Sequence, residues 1–203
     1  MSSVIEQKWE YLRNEIDHRG VWRLEPGSNP IIGKAPNTKY THQFYLRRCL
    51  FDPGFVFTAA ELLVEKLPDK DIQIGACEAA GVTLGFAMAT ILKSPMISIK
   101  KAHKEYGLLN YTEGKITGKP ILLVDDLAGS QNTLRTAAWI LGSFKLPMAD
   151  QYATLVDKTQ RTHHESYLPD KQLISLFTCE DFSLSWSAYV EKYKCNPNFG
   201  PHY

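Results

Sequence analysis

The fold is decided by the stretch Ile121-Leu122-Leu123-Val124-Asp125-Asp126-Leu127-Ala128-Gly129-Ser130-Gln131-Asn132-Thr133. Its four leading apolar residues predict a buried strand, which runs into two acidic residues and then into a small polar loop. A helical pattern opens at Thr133, and its apolar positions are Leu134, Ala137, Ala138 and Leu141. In an open α/β sheet, ligands bind beyond the carboxyl ends of the strands, where helix N-termini present N–H groups and a partial positive charge. The stretch therefore predicts an anion-binding loop beside two carboxylates.

The two adjacent carboxylates, Asp125 and Asp126, are the most informative part of this stretch. Like charges side by side repel each other unless a cation or hydrogen-bond donors engage them. The pair therefore suits the hydroxyl groups of a polyol or a divalent metal. The alternative is a solvated Asp-Asp turn that binds nothing.

Composition narrows the class of protein. The chain has 203 residues, of which 44% are hydrophobic and 22% charged, with a net charge of +1. A chain of this size buries a sizeable core without disulfides or metal, and its balanced charge argues against disorder and against nucleic acid as a partner. The scattered cysteines show no metal-binding spacing, and no apolar run reaches membrane-spanning length, so we expect reduced thiols, no membrane partner and a cytoplasmic location. The cysteines are Cys49, Cys77, Cys179 and Cys195.

Alternating strand and helix patterns predict an α/β fold with a central, mainly parallel sheet flanked by helices. We expect strands at 72–76, 96–99, 121–124, 152–156 and 172–177, and helices at 79–92, 133–143 and 182–193. Before them come an amphipathic helix at 3–19, an irregular loop at 25–40, a strand at 42–49, a turn at 52–54 and a helix that opens at Thr58 with capping-box spacing. A single domain over 1–203 is expected, divided into an N-terminal helix and hood (1–50), a core (55–160) and a C-terminal strand and helix (161–203).

Three loops follow the carboxyl ends of predicted strands, so the topology gathers them at one edge of the sheet. The first, 75–81, contains small residues, which permit either close packing or close approach to an anion. The second begins with Lys100, Lys101, His103 and Lys104, and is either a lid over a phosphate group or a solvated basic turn. The third is the stretch 121–133 itself.

That stretch resembles the phosphoribosyl pyrophosphate (PRPP) signature of type I phosphoribosyltransferases, in which an apolar strand precedes two acids and a loop of small and hydroxyl residues. The small-residue loop near Gly75 and the lysine-rich loop at Lys100 occur at matching spacing. Within that family the chain is most similar to the orotate enzymes, because it also has an N-terminal helix and the segment Phe44-Tyr45-Leu46-Arg47-Arg48.

The resemblance implies a magnesium-dependent displacement at the ribose C1 of PRPP by a nucleobase, with orotate favoured, release of pyrophosphate and a homodimeric enzyme. Asp125 and Asp126 would engage the ribose hydroxyls, directly or through Mg²⁺ and water. With them, Lys101, His103 and Lys104 would form the catalytic set. The implied PRPP-binding residues are Lys100, Ala128, Gly129, Ser130, Gln131, Asn132, Thr133, Glu78 and Ala79, and the implied base-binding residues are Lys39, Phe44 and Lys158.

The chain departs from this pattern at several places. Gln131 and Asn132 stand where the family usually has glycine, and glutamine adopts positive φ poorly. Tyr106 replaces a histidine, with His103 nearby, and Lys158 replaces an arginine that contacts the base. A phosphoribosyltransferase for another base and a non-catalytic PRPP-binding regulatory protein therefore stay open. An unrelated nucleotide-binding α/β protein is a further alternative, although the chain has neither a Walker A nor a GxGxxG sequence.

Overall fold

A computed structural model describes residues 3–23, 31–32, 39–40, 42–100, 111–129, 131–158 and 171–184. The helices are α1 (Val4–Glu15), α2 (Arg47–Leu50), α3 (Pro53–Lys66), α4 (Ala80–Leu92) and α5 (Asn132–Ser143), with a π-helical turn at Ile16–Gly20 and a 3-10 turn at Glu180–Phe182. The strands are β1 (Val21–Arg23), β2 (Ile31–Ile32), β3 (Lys39–Tyr40), β4 (His42–Phe44), β5 (Gln73–Cys77), β6 (Met96–Ile99), β7 (Thr112–Gly114), β8 (Ile121–Ala128), β9 (Met148–Asp157) and β10 (Gln172–Thr178).

The centre of the molecule is a six-stranded sheet in the order β10-β9-β8-β5-β6-β7. All neighbouring pairs are parallel except β6 and β7, so β7 is an antiparallel strand at one edge. This confirms the predicted α/β class with a mainly parallel sheet. The N-terminal region adds two small antiparallel pairs, β1 with β4 and β2 with β3.

Side-chain alternation in β8 divides the core into two layers. Leu122 and Val124 belong to a large cluster shared with α1, α3 and α4, whereas Ile121 and Leu123 belong to a cluster with α5. Successive side chains of a strand point to opposite faces, so one apolar strand supports helices on both sides. Helix α4 therefore lies on one face of the sheet and α5 on the other.

Close contact between α4 and the sheet depends on glycine. A Cβ atom at Gly85 would lie 2.7 Å from the Cβ of Ala76, and one at Gly75 would lie 2.6 Å from Cγ2 of Ile121. Real Cβ atoms do not approach other atoms so closely, so these glycines set how tightly the helix and the strands pack.

Several predicted bounds are corrected by the structure. Helix α3 begins at Pro53 rather than Thr58, because Asp52 is its N-cap and accepts hydrogen bonds from the N–H groups of Gly54 (2.9 Å) and Phe55 (3.3 Å). Thr58 lies inside the helix, where its hydroxyl donates to the Gly54 carbonyl at 2.7 Å. Asp followed by Pro at the first helical position is the stronger start signal.

The predicted strand at 42–49 is also shorter than expected, because only 42–44 are extended and 47–50 are helical. Strand β8 is longer than expected and includes Asp125 and Asp126. At 182–193, the 3-10 turn ends at Ser183, whose φ is +54°, and residues 185–193 lie outside the described part of the chain. In the described ranges, no helix combines the length and the apolar character needed to cross a bilayer.

Candidate functional site

The site lies at the carboxyl edge of the sheet, between β5 and β8. From β5 the chain passes through α4 to β6 on one side, and from β8 it passes through α5 to β9 on the other. The strand order therefore reverses between β5 and β8, and α4 and α5 leave on opposite faces. Such a switch point opens a crevice beyond the strand ends, which is where ligands bind in α/β sheets.

The two carboxylates lie within the last four residues of β8. Asp125 is buried and pairs in register with Thr154 of β9, and its Oδ1 accepts a hydrogen bond from the N–H of Asp126 at 3.0 Å. Asp126 is half-buried. Both carboxylates thus belong to a continuous strand, and Asp125 is buried. The alternative of a solvated Asp-Asp turn is therefore wrong about the local structure.

The first turn of α4 reaches the same place. A Cβ atom at Gly81 would lie 2.6 Å from the carbonyl oxygen of Val124 and 3.3 Å from Oδ1 of Asp125. Close packing is therefore the role of Gly81 in the small-residue loop. The approach also sets the partly positive start of α4 next to the Asp125 carboxylate.

The loop between β8 and α5 has a distinct backbone geometry. Gln131 is the N-cap of α5 with φ +55° and ψ +9°, and its side chain caps no N–H group of the helix. Asn132 is turned away as well, since its Oδ1 accepts from Nη2 of Arg135 at 2.9 Å. Around Gly129 an added Cβ would meet nothing within 4 Å. Space is therefore open around Gly129, whereas Gln131 is buried and Thr133 is half-buried in the first turn of α5.

The turn between β5 and α4 contains Glu78 and Ala79. The N–H of Glu78 donates to the carbonyl of Ile99 at 3.0 Å, and its Oε1 accepts from the hydroxyl of Ser98 at 3.1 Å. The Glu78–Ala79 peptide is cis. Ala79 is exposed at the N-terminus of α4, where it provides no side-chain cap. Glu78 therefore fixes the turn to β6.

Lys100 occupies a different environment from the one expected of a solvated loop. It is 8% exposed, its Nζ forms an ion pair with Oε1 of Glu113, and its N–H donates to the carbonyl of Tyr111 at 2.8 Å. The solvated basic turn is therefore wrong for Lys100 itself, which belongs to the β6–β7 edge. The other members of this loop, Lys101, His103, Lys104 and Tyr106, lie outside the described residues, as does Ser130.

Two of the three residues expected to contact a base come together in the structure. Nζ of Lys158 lies 5.9 Å from the centre of the Phe44 ring, and the N–H of Lys158 donates to the carbonyl of Ala128 at 2.7 Å. Phe44 meets Phe182 edge-on, with 5.6 Å between ring centres. Burial lowers the pKa of Lys158, and the neighbouring Cys179 opposes this shift. Lys39 lies in β3, and its side chain is outside the described residues.

Sequence reasoning missed two groups at this edge. Phe182 contacts the Phe44 ring, and the sequence did not indicate this contact because the two residues are far apart along the chain. Tyr152 of β9 donates its hydroxyl to Oε1 of Gln131 at 3.3 Å. A tyrosine within an otherwise apolar buried strand needs a hydrogen-bond partner, and that need was a usable signal.

The chain is similar to known proteins in both sequence and fold. Orotate phosphoribosyltransferase of Methanocaldococcus jannaschii is 20% identical over 148 residues, which make up 72% of this chain and 84% of that protein. The solved structure of orotate phosphoribosyltransferase from Aeropyrum pernix matches with a TM-score of 0.67 and 20% identity, covering 91% of this chain and 99% of that one. The Mycobacterium tuberculosis orotate phosphoribosyltransferase in complex with PRPP matches with a TM-score of 0.62 and 15% identity, over 90% and 93% of the two chains.

No protein-family model matches the chain. The relatives and the solved structures nevertheless confirm the resemblance to type I phosphoribosyltransferases. This chain has the type I phosphoribosyltransferase fold, and orotate phosphoribosyltransferases are its relatives in sequence.

Proposed function

We propose that the protein transfers the 5-phosphoribosyl group of PRPP to a nucleobase, with orotate favoured, to form a nucleoside 5′-monophosphate and pyrophosphate. One observation carries the proposal: the Asp125-Asp126 pair near the end of β8 and the N-terminus of α5 are separated by one short loop at the switch point of the sheet. A ribose 5-phosphate needs both, since it presents vicinal hydroxyls at one end and a phosphate at the other.

The roles follow from the chemistry of each group. Asp125 and Asp126 accept hydrogen bonds from the ribose hydroxyls, and the backbone N–H groups of 129–133 hold the 5-phosphate with the help of the helix dipole. The bond from C1 to the pyrophosphate oxygen breaks with its electron pair on pyrophosphate, and a base nitrogen forms the new bond to C1 and loses its proton. The chain's own contribution is to hold both reactants in line and to surround the departing charge with N–H donors and lysines.

Magnesium belongs to the proposal. Carboxylate oxygens are the ligands that Mg²⁺ prefers, and Asp125 and Asp126 supply them. The described residues contain no group of three or more His, Cys, Asp or Glu side chains that could hold a metal ion. The remaining ligands would therefore be oxygens of PRPP and water, which is the usual arrangement for Mg²⁺ at substrate phosphates. When bound, Mg²⁺ would neutralise charge on the pyrophosphate.

Orotate is favoured over neutral bases because of Lys158. A cation held next to the Phe44 ring, with its pKa lowered by burial, gains from an anionic partner such as a carboxylate. Phe44 is 8% exposed and packs edge-on against the buried Phe182, which fixes the Phe44 ring next to Lys158. Lysine lacks the two-pronged geometry of arginine, so a single hydrogen bond to the carboxylate is expected.

A base panel tests the reaction. Purified protein is incubated with PRPP, Mg²⁺ and one nucleobase at a time, and pyrophosphate release is measured. Release with orotate supports the proposal, whereas release with a different base alone assigns that base. Lys158→Met should raise KM for orotate at least tenfold. Lys66→Met is the matched control, because Nζ of Lys66 lies 4.9 Å from the centre of the Trp9 ring, in a cation–ring contact outside the site.

Calorimetry with PRPP tests the binding step separately. Asp125→Asn combined with Asp126→Asn should weaken PRPP binding by about 100-fold, because two charge-assisted hydrogen bonds of about 1.5 kcal/mol each are weakened. Wild-type protein that does not bind PRPP would overturn the proposal.

The second candidate function is a PRPP-binding regulatory protein without turnover, favoured by the unusual Gln131 in the phosphate loop. PRPP binding without pyrophosphate release for any base would select it. The resemblance also leads us to propose a homodimer and a cytoplasmic location. Sedimentation velocity tests the dimer, and fractionation of cells tests the location.

A further inference from the structure

The loop between β8 and α5, which would hold the 5-phosphate and is called the phosphate loop, contains a glutamine in a left-handed conformation. Gln131 has φ +55°, a region that glycine adopts without strain and that other residues adopt at a cost. Gln131 is both the last loop residue and the N-cap of α5, and its carbonyl accepts a helical hydrogen bond from the N–H of Arg135 at 2.8 Å. A connection between the loop and the rest of the fold would offset part of that cost.

The side chain of Gln131 supplies that connection. The residue is 6% exposed, and its Oε1 accepts a hydrogen bond at 3.3 Å from the hydroxyl of Tyr152. Tyr152 is 2% exposed and lies in the middle of β9, opposite Leu123 of β8. The residue thus lies between Leu123 of β8 and Leu173 of β10, and its hydroxyl reaches the glutamine from the sheet.

The direction of the glutamine side chain has a second effect. An N-cap side chain normally bonds to the first N–H groups of its helix and so occupies them. Gln131 is turned towards the sheet and caps none of them, and Asn132 is held by Arg135. The N–H groups at the start of α5 stay available to a phosphate.

We propose that the hydrogen bond from Tyr152 to Gln131 positions the phosphate loop: it holds Gln131 at positive φ and keeps its side chain away from the helix N-terminus, so that the loop binds the 5-phosphate of PRPP. Tyr152 is a positioning residue in this proposal and does not touch the substrate. The inference rests on the proposed function, because PRPP is the ligand that the loop serves.

The test is a double-mutant cycle read out as the Kd for PRPP in the presence of Mg²⁺. Tyr152→Phe should raise Kd about tenfold. Gln131→Gly is the second background of the cycle, since glycine adopts positive φ without an anchor and leaves no side chain for the tyrosine hydroxyl to hold. In the Gln131→Gly background, Tyr152→Phe should change Kd less than twofold, because the hydroxyl then has no loop residue to hold.

Two further variants test whether the change in Kd is specific to the hydrogen bond between Tyr152 and Gln131. Gln131→Asn tolerates positive φ better than glutamine but is one methylene too short to keep the bond, so its Kd should fall between those of Tyr152→Phe and the wild type. Tyr11→Phe is the matched control: it removes a tyrosine hydroxyl from α1, and Kd should not change.

The outcomes are distinct. Wild-type protein without PRPP affinity would refute the proposed function. Wild-type affinity together with an unchanged Kd in Tyr152→Phe would refute the positioning role alone. An equal loss from Tyr152→Phe in both backgrounds would also refute it, because the hydroxyl would then act without Gln131. Thermal unfolding of each variant shows whether it is folded at the assay temperature.

Discussion

At the scale of single residues, protonation of the Cys49 thiol is coupled to the stability of the fold. Its side chain has no exposed surface, and its Sγ donates to the backbone carbonyl of Glu15 at 3.5 Å. Burial raises the pKa of the Cys49 thiol from 9.0 to about 11. The pKa of the thiol is higher in the folded than in the unfolded protein, so the protonated thiol contributes to the free energy of unfolding. This contribution is complete below pH 9 and is lost as the pH rises through 11.

The expected loss of unfolding free energy between pH 9 and 11 is on the order of 2 kcal/mol. Urea unfolding at a series of pH values measures it. Cys49→Ala should be less stable at neutral pH, because it leaves a small cavity, but should show a shallower decline above pH 9. The same decline in both proteins would contradict the assignment to Cys49.

At the scale of elements, the contact between α4 and β8 shapes the site. Alanine normally stabilises a helix by about 1 kcal/mol relative to glycine. At Gly81 the added methyl group would meet the Val124 carbonyl at 2.6 Å and Asp125 Cα at 3.0 Å, and backbone atoms cannot move aside cheaply. Gly81→Ala should therefore destabilise the protein by about 1–3 kcal/mol and weaken PRPP binding by displacing Asp125.

Gly142 provides the matched control for this prediction. It lies near the end of α5, and an added Cβ there would meet nothing within 4 Å. Gly142→Ala should leave PRPP binding unchanged and raise stability slightly. Calorimetric unfolding and PRPP titration of both variants check the pair. Stabilisation by both substitutions would show that α4 can move away from β8.

The bounds of elements show what local patterns can predict. Strand β6 has the predicted bounds and α5 begins one residue early, because side-chain periodicity is a local property. The predicted start of α3 was wrong because two local start signals compete, and the helix begins after Asp52, at Pro53, rather than at Thr58. The predicted division of the chain into 1–50, 55–160 and 161–203 stays a prediction.

Contacts that join distant parts of the chain were beyond this reasoning. Tyr152 and Gln131 are 21 positions apart, and Lys100 pairs with Glu113 only because β7 returns beside β6. The resemblance predicted the binding loop within 121–133 and the departure at Gln131, but only the structure shows that Gln131 accepts a hydrogen bond from Tyr152 of β9. Lys158 and Phe44 were predicted separately, and the fold brings them together.

At the scale of the whole molecule, a ligand that binds only the folded state shifts the unfolding equilibrium. PRPP with Mg²⁺ at about 100 times its Kd should add about 2.7 kcal/mol of stability, which raises Tm by roughly 5–10 °C for a chain of this size. Scanning calorimetry with and without PRPP measures the shift. The Asp125→Asn, Asp126→Asn protein should show little or none, and an equal shift in both proteins would mean that PRPP binds elsewhere.

If the bond between Tyr152 and Gln131 positions the loop as proposed, the effects of substitutions at the two positions depend on each other. A glycine at 131 needs no anchor, so the residue at 152 would then matter little for the loop. A glutamine at 131 would need the tyrosine. The two positions would therefore be epistatic, and glutamine at 131 with phenylalanine at 152 would be the poor phosphate-binding combination.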